Sequence, residues 1–297
     1  MSIIKKILGI ASRQESDGSF SPSPLALKLA TKSKTDYDHK VYPNAYKGGK
    51  AKVLMVCADQ RNMIMENGKQ FSTGNHPVEM LVPMLHLEQA GFEVDIYTAT
   101  GDSVKIEMWA MPEEDEAVNA LYQKHKTNFE NPHSLSDFVQ NSMNDESPYV
   151  AVFLPGGHAA MLGLPENKDL EKVIHWVHQK DKYMLALCHG PAALLAASVS
   201  LGEGSDKDDF IYHGYKVAVF ADSVDKMTPK IGYMPGHMPW YFGEKLQELG
   251  VEIINKKAEG NCHQDRKLIT GDGPLAADKF GKIAANALLS ENLASFQ

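Results

Sequence analysis

The feature that most constrains this chain is an alternation. Short, uninterrupted apolar runs recur along it, and segments with helical spacing separate them. AKVLMVCA (51–58), YVAVFL (149–154) and YMLALC (183–188) show no polar–apolar alternation, so as strands they must be buried on both faces. EVDIYTA (93–99), YKVAVFAD (215–222), VEIINK (251–256) and RKLITGDGP (266–274) read as further strands. Between the first two runs, Val78, Leu81, Val82 and Leu85 form an i, i+3, i+4, i+7 stripe that Gly91 closes. Pro83 falls inside it and should kink the helix unless it lies in the first turn. Residues 165–181, 190–200, 238–250 and 275–293 carry helical patterns. Strand–helix alternation of this kind implies an α/β fold, a doubly wound, mostly parallel sheet with helices on both faces.

Two stretches break the rhythm. Residues 1–48 are rich in Ser, Lys, Pro and Tyr and lack periodicity. Residues 102–147 are charged and helical in pattern. The reading is an N-terminal extension that packs with a cap inserted at 102–147, above a core built from 49–101 and 148–297. The opening MSIIKKILGIASRQ is amphipathic and mildly basic, an arm or a surface anchor; its apolar part is short for a secretory signal. No run approaches the ~20 apolar residues of a membrane span. The chain has 30 basic and 38 acidic residues, a net charge of -8, which speaks against a nucleic-acid backbone as a stable partner. Cys57, Cys188 and Cys262 have no paired spacing; they read as reduced thiols of a cytoplasmic protein.

In a parallel sheet the loops leaving the carboxyl ends of the strands share one rim, where ligand sites form. Those loops carry Glu79, the turn Pro155-Gly156-Gly157-His158, the run Cys188-His189-Gly190, Asp222 with Asp225, and Asp272. Cys188 stands where a buried strand turns sharply into a helix, the geometry of a nucleophile elbow. A helix N-terminus behind it should favour the thiolate. His189 is a candidate general base, and its backbone N–H, with one from the Gly156-Gly157 turn, a candidate oxyanion donor. Glu79 is either a helix-terminal acid or a carboxyl that hydrogen-bonds the sulfur. His158, His175, His178, His213, His237 and His263 are read as structural or surface residues, and Cys57 and Cys262 as structural thiols.

FSTGNHPVE, VFLPGGHAAMLGLPE, ALCHGPAALLA, IGYMPGH and DRKLITGDGPLAA, in this order, resemble the ThiJ/PfpI superfamily. Within it they are most similar to the HchA-type branch of glyoxalase III, protein deglycase and heat-shock holding chaperone. The resemblance implies a flavodoxin-like core, a smaller second domain and a homodimer. It makes Cys188 the nucleophile, with His189 and Asp225 completing a triad-like set. Asp222 is the rival acid. Glu79 becomes the proton-carrying glutamate, and Gly157 and His189 the oxyanion donors. The branch also carries a structural zinc site. The matching positions are Glu88, Glu93 and His125, with glutamate replacing one histidine; the two acids also suit a solvated helix end.

The expected reaction is conversion of methylglyoxal or a related 2-oxoaldehyde to its hydroxy acid through a Cys188 hemithioacetal, without a cofactor. The same chemistry on early glycation adducts of proteins or nucleotides is deglycation, a repair activity. A cysteine amidase or peptidase is the alternative that the elbow alone allows. A stress chaperone holding unfolded chains is the alternative suggested by the methionines at 63–65 and an apolar surface at 78–85.

Overall fold

The computed structural model describes residues 8–202, 206–291 and 293. Only the end of the amphipathic opening stretch falls within them; the anchor reading for residues 1–7 lies outside the described residues. In chain order the strands are β1 (Arg13–Gln14), β2 (Phe20–Ser21), β3 (Lys52–Val56), β4 (Asn62–Ile64), β5 (Gln70–Ser72), β6 (Glu93–Thr98), β7 (His133–Ser134), β8 (Tyr149–Leu154), β9 (Tyr183–Leu187), β10 (Lys216–Val217), β11 (Glu252–Ile253), β12 (Cys262–Asp265) and β13 (Leu268–Gly271).

Seven of them make one sheet, in the order β12-β13-β9-β8-β3-β6-β7. All its pairings are parallel except β12 with β13. β8, β9 and β13 are buried along their whole length, as their unalternating apolar sequences require. The Pro77–Gln89 and Ala277–Leu289 helices cover one face with Met80, Leu81, Met84, Phe280 and Ala284. The Lys168–Gln179 helix and the Gly190–Ser198 segment cover the other with Leu170, Val173, Trp176 and Ala193. This is the doubly wound, flavodoxin-like arrangement expected from the alternation.

The Pro77–Gln89 helix continues past Pro83 without interruption. It ends where Gly91 (φ 93°) turns left-handed and passes within 2.0 Å, for any added Cβ, of the Tyr46 carbonyl. Met80, Leu81, Val82, Met84 and Leu85 are all buried, as are Met63 and Met65. The apolar surface that suggested a holding chaperone is therefore core.

Four expectations change. The segment at 215–222 contributes only Lys216–Val217 to a strand, which pairs with β11 in a separate two-stranded sheet. Beyond it, Thr270 Oγ1 accepts from Ala218 N and Asn255 Oδ1 from Val219 N, so side chains occupy the places of ladder carbonyls. Residues 262–265, which carry no strand pattern in the sequence, form the antiparallel edge strand β12. The N-terminal extension is not irregular throughout: β1 and β2 join the β4–β5 hairpin in a four-stranded sheet, and Pro24–Ala30 is a helix capped by Ser23. The 102–147 stretch is less separate than a cap. β7 extends the main sheet beside β6, and Val118, Leu121 and Phe129 enter the same apolar cluster as the sheet. The extension does touch this stretch, through Thr35 N and Oγ1 on the Asp115 carboxylate and Glu114 N on Ser33 O.

Candidate active site

The site is assembled around tight turns at the carboxyl ends of two neighbouring strands, β9 and β8, with Glu79 and Asp225 brought in from helices. Cys188, directly after β9, has φ 61°, a conformation that costs a β-carbon-bearing residue energy and marks a nucleophile elbow. It is held there from both sides: its N–H donates to Gly271 O and its carbonyl accepts from Phe220 N. Gly190 lets the turn lie against β8, where an added Cβ would come within 2.1 Å of Leu154 O. After β8, a Cβ at Gly156 would stand 2.0 Å from Glu79 Oε2 and 2.5 Å from Cys188 Cβ. Glycine at 156 is thus what lets the Glu79 carboxyl, from the first turn of its helix, approach the thiol.

Cys188 Sγ lies 3.2 Å from His189 Nδ1, and His189 Nε2 lies 2.8 Å from Asp225 Oδ2. The structure brings the thiol, imidazole and carboxylate into one chain of contacts. It also separates the rival acids. Asp222 accepts from Gly243 N and Glu244 N and caps the Phe242–Glu248 helix, whereas Asp225 is fully buried in the site. Asp272 binds the backbone N–H groups of residues 259–261 and orders that loop.

One functional neighbour escaped the sequence reading. The sequence alone gives His158 a structural or surface place; in the structure it is buried, its Nε2 lies 3.0 Å from Asp225 Oδ1, and its ring sits 3.9 Å from that of His189. Its position one residue past the Gly156-Gly157 turn, on the rim, was the signal available. Asp225 therefore serves two histidines at once.

Burial opposes ionisation of Asp225, but His189 and His158 overcome it and hold the carboxyl below its usual range. Burial would also lower His158, yet Asp225 raises it above the ordinary value. His189 is pushed down to about 4 by burial and by His158. The positive charge of the trio thus rests on His158, and His189 stays neutral and able to accept a proton.

The thiol departs from expectation. Burial, then the Glu79 carboxylate, push Cys188 well above the ordinary thiol range, and the opposing Gly157 N–H does not reverse this. Burial likewise raises Glu79, whose carboxyl oxygens have no partner that meets ordinary hydrogen-bond geometry. Two buried acids this close titrate as a pair. When Glu79 carries its proton, the charge that opposes thiolate formation is gone. The sulfur is then ionised only as part of a one-proton pair, and not as the free thiolate expected from a helix N-terminus.

These groups line a cavity of about 490 Å³ that continues beneath residues 29–36 and reaches residues 257–259 and 274–278. His76, also on its wall, is driven down to about 3 by burial, then by His158 and His189. The unfolded chain takes up this proton near pH 6.5 while the folded chain refuses it until about pH 3. The contribution of His76 to stability is therefore full above its ordinary value and lost as the pH falls toward its folded one. His76→Gln should lose less of its urea midpoint than the wild type between pH 7 and pH 4.5; parallel losses would refute this assignment.

The zinc expectation does not fit the residues present. His125 Nε2 bonds one Glu88 oxygen and the Lys124 ammonium the other at 2.6 Å. Glu93 points instead to Lys52, at 2.9 Å. Glu88, Glu93 and His125 are therefore not gathered around one point, and a lysine cation takes the place beside Glu88. Among the described residues, the other sets of three such donors are His158, His189 and Asp225, within the site, and Asp38, His86 and Asp278. In the latter, Lys282 bridges the two aspartates at 2.6 and 2.7 Å.

Fold and site together define a flavodoxin-like α/β protein with a cysteine elbow, a histidine–aspartate pair and a buried glutamate on one rim. The DJ-1/PfpI family model matches residues 70–204. The chain is 49% identical over 271 residues, 91% of each chain, to the protein/nucleic acid deglycase HchA of Pseudomonas aeruginosa. It is 46% identical over 275 residues, 92% of each chain, to the protein of the same name from Staphylococcus aureus. The crystal structure of glyoxalase III from Candida albicans superposes with a TM-score of 0.60 at 22% identity, covering 80% of this chain and 98% of that one. The chain belongs to the DJ-1/PfpI family.

Proposed function

We propose that this chain converts methylglyoxal and related 2-oxoaldehydes, free or as early adducts on proteins and nucleotides, to hydroxy acids through a covalent cysteine intermediate. The observation that carries this reading is the meeting of Cys188, the Glu79 carboxyl and the Gly157 N–H across a glycine that leaves no room for a side chain. Hydrolysis of a peptide needs a nucleophile, a base and oxyanion donors; it has no use for an unpaired, protonated carboxyl beside the sulfur. An aldehyde-to-acid isomerisation does.

Sulfur adds to the aldehyde carbon while Glu79 gives its proton to the aldehyde oxygen. The Glu79 carboxylate then removes the hydrogen from that carbon and returns it to the adjacent one. The redox change is internal to the substrate, so the sequence of steps calls for no external oxidant or reductant. Gly157 N–H, with the His189 N–H, steadies the oxyanions on either side of the hemithioacetal and thioester. Neutral His189, held by Asp225, takes a proton from the water that cleaves the thioester. The names of the relatives support extension to protein and nucleic-acid adducts, and a cavity of about 490 Å³ exceeds what a three-carbon substrate fills.

Glutathione-free formation of lactate from methylglyoxal by the purified protein tests the reading. In Glu79→Gln, turnover should fall by about 10²–10⁴-fold, the usual worth of a general acid–base group. Absence of lactate from the wild type, or full turnover in the glutamine variant, would overturn it.

A further inference from the structure

Among the described residues, the buried side-chain polar atoms left without a hydrogen-bond partner are His76 Nδ1, both Glu79 carboxyl oxygens, Glu107 Oε2 and Trp176 Nε1. Buried polar groups are almost always paired, so each orphan asks for a reason. All but the Trp176 atom belong to residues that line the one cavity holding Cys188. Glu79 has its reason in the reaction above. Glu107 and His76 do not.

Glu107 is held firmly. Only 2% of it is exposed. Thr73 Oγ1 donates to its Oε1 at 2.6 Å, and its own N–H donates to Asn75 O at 3.0 Å. Asn75 is in turn tied to the backbone of Ala58 and Lys105 through its side chain. Gly74 packs so closely on the backbone of Lys105 to Glu107 that an added Cβ would lie 2.8 Å from Lys105 O. The same loop meets the oxyanion turn, where His76 N donates to Gly156 O at 2.9 Å. A rigid carboxyl therefore presents one satisfied oxygen to the fold, and its other oxygen, with the Gly74 backbone nearby, has no partner in ordinary hydrogen-bond geometry, in a residue that lines the reaction cavity.

The isomerisation has an unmet requirement that this carboxyl fits. Moving a hydrogen from the first carbon to the second accounts for Glu79. The second carbon's carbonyl oxygen must also gain a proton, and the first carbon's hydroxyl must lose one. We propose that Glu107 is the acid–base group for these oxygens: Oε2–H protonates the oxygen of the second carbon as the enediol forms. The Glu107 carboxylate then recovers the proton of the first carbon's hydroxyl as that carbon becomes the thioester carbonyl. The proton count closes on both glutamates, and no electron leaves the substrate. The unpaired His76 nitrogen hydrogen-bonds the same end of the substrate and is a positioning residue. Burial raises Glu107 to about 7, which leaves about half of it protonated at neutral pH, able both to give and to recover a proton, the match an acid–base catalyst needs. The consequence is selectivity for aldehydes with an adjacent carbonyl over simple aldehydes.

This inference rests on the proposed roles of Cys188 and Glu79, and its test separates the two. Purified Glu107→Gln and Glu107→Asp are compared with the wild type for two readouts: reversible capture of Cys188 by methylglyoxal, measured as protection from iodoacetamide, and lactate production. Glu107→Gln should capture the aldehyde as the wild type does, with KM within about threefold and kcat lower by about 100-fold or more. Glu107→Asp keeps the proton and should outperform glutamine. Should the glutamine variant not fold, Thr73→Val, which releases Oε1, is expected to lower kcat about tenfold with capture unchanged. Wild-type kcat in Glu107→Gln or Thr73→Val, glutamine matching aspartate, or capture and turnover falling together would each overturn the assignment. Wild-type protein that neither captures the aldehyde nor forms lactate would instead remove the underlying reading.

Discussion

Cys188→Ser is expected to lose lactate formation by about 10³-fold or more, with little change in thermal midpoint. Three physical differences add up. A serine hydroxyl does not share a proton with Glu79 in the way a thiol does, because its acidity lies far above that of the carboxyl. The shorter C–O bond draws the attacking atom back from a substrate held by the Gly157 turn, and small displacements of a reacting atom are costly. The acyl intermediate would be an ester with a poorer leaving group than a thiolate. The fold has little stake in the sulfur. The φ of 61° is set by the backbone bonds that Cys188 donates to Gly271 O and accepts from Phe220 N, and the neighbouring imidazole at 3.2 Å is placed to partner a hydroxyl. Activity measured beside differential scanning separates the two readouts. Turnover within tenfold of wild type would mean that the attacking group is another residue, and loss of activity that tracks unfolding would mean that the variant is uninformative about chemistry.

How far the sequence foretold this arrangement varies with the kind of interaction. β3, β8 and β9 were legible because full burial leaves a continuous apolar signature that no solvent-facing element imitates. Cys188 was legible for the same reason: a polar, reactive residue at the end of such a strand stands out against its neighbours. The segment after Lys216–Val217 was not, because its strand-like composition cannot show that Thr270 and Asn255 replace the ladder with side-chain bonds. Nor can spacing show which histidine an aspartate reaches. Asp225 binds His158 and His189, 67 and 36 positions away, and a histidine after two glycines looks the same whether it points inward or to solvent. The direction of the Cys188 shift is hidden in the sequence because a helix terminus is visible there, whereas burial and a carboxyl arriving from another helix across Gly156 are not. The three metal-site positions failed on charge: Lys52 and Lys124, remote in sequence, each claim one of the acids.

Asp225→Asn is the second substitution expected to have a large effect, and it tests whether two histidines depend on one carboxylate. In the wild type both oxygens accept, Oδ1 from His158 Nε2 at 3.0 Å and Oδ2 from His189 Nε2 at 2.8 Å. An asparagine has one accepting oxygen and one donating amide. Whichever histidine meets the amide must turn its Nε2 into an acceptor and carry its proton on Nδ1. If that is His189, the nitrogen 3.2 Å from the sulfur becomes a donor and no longer takes a proton from thiol or water. By analogy with wrong-tautomer variants of hydrolytic triads, kcat should fall by about 10³–10⁴-fold. The loss of the counter-charge to buried His158 should cost about 2–4 kcal/mol at neutral pH. The pH dependence carries the sign. Asp225 is held below its ordinary 3.8, so its contribution is full above that value and fades as the pH falls through the depressed one. His158 is held above its ordinary 6.5, so its contribution is full below that value and fades as the pH rises through the raised one. The gap in urea midpoint between wild type and variant should therefore be widest between about pH 4 and 6.5 and narrow on both sides. A gap that is constant across that range would show that the carboxylate is not the shared partner of two histidines, and the neutral-base role given to His189 would lose its support.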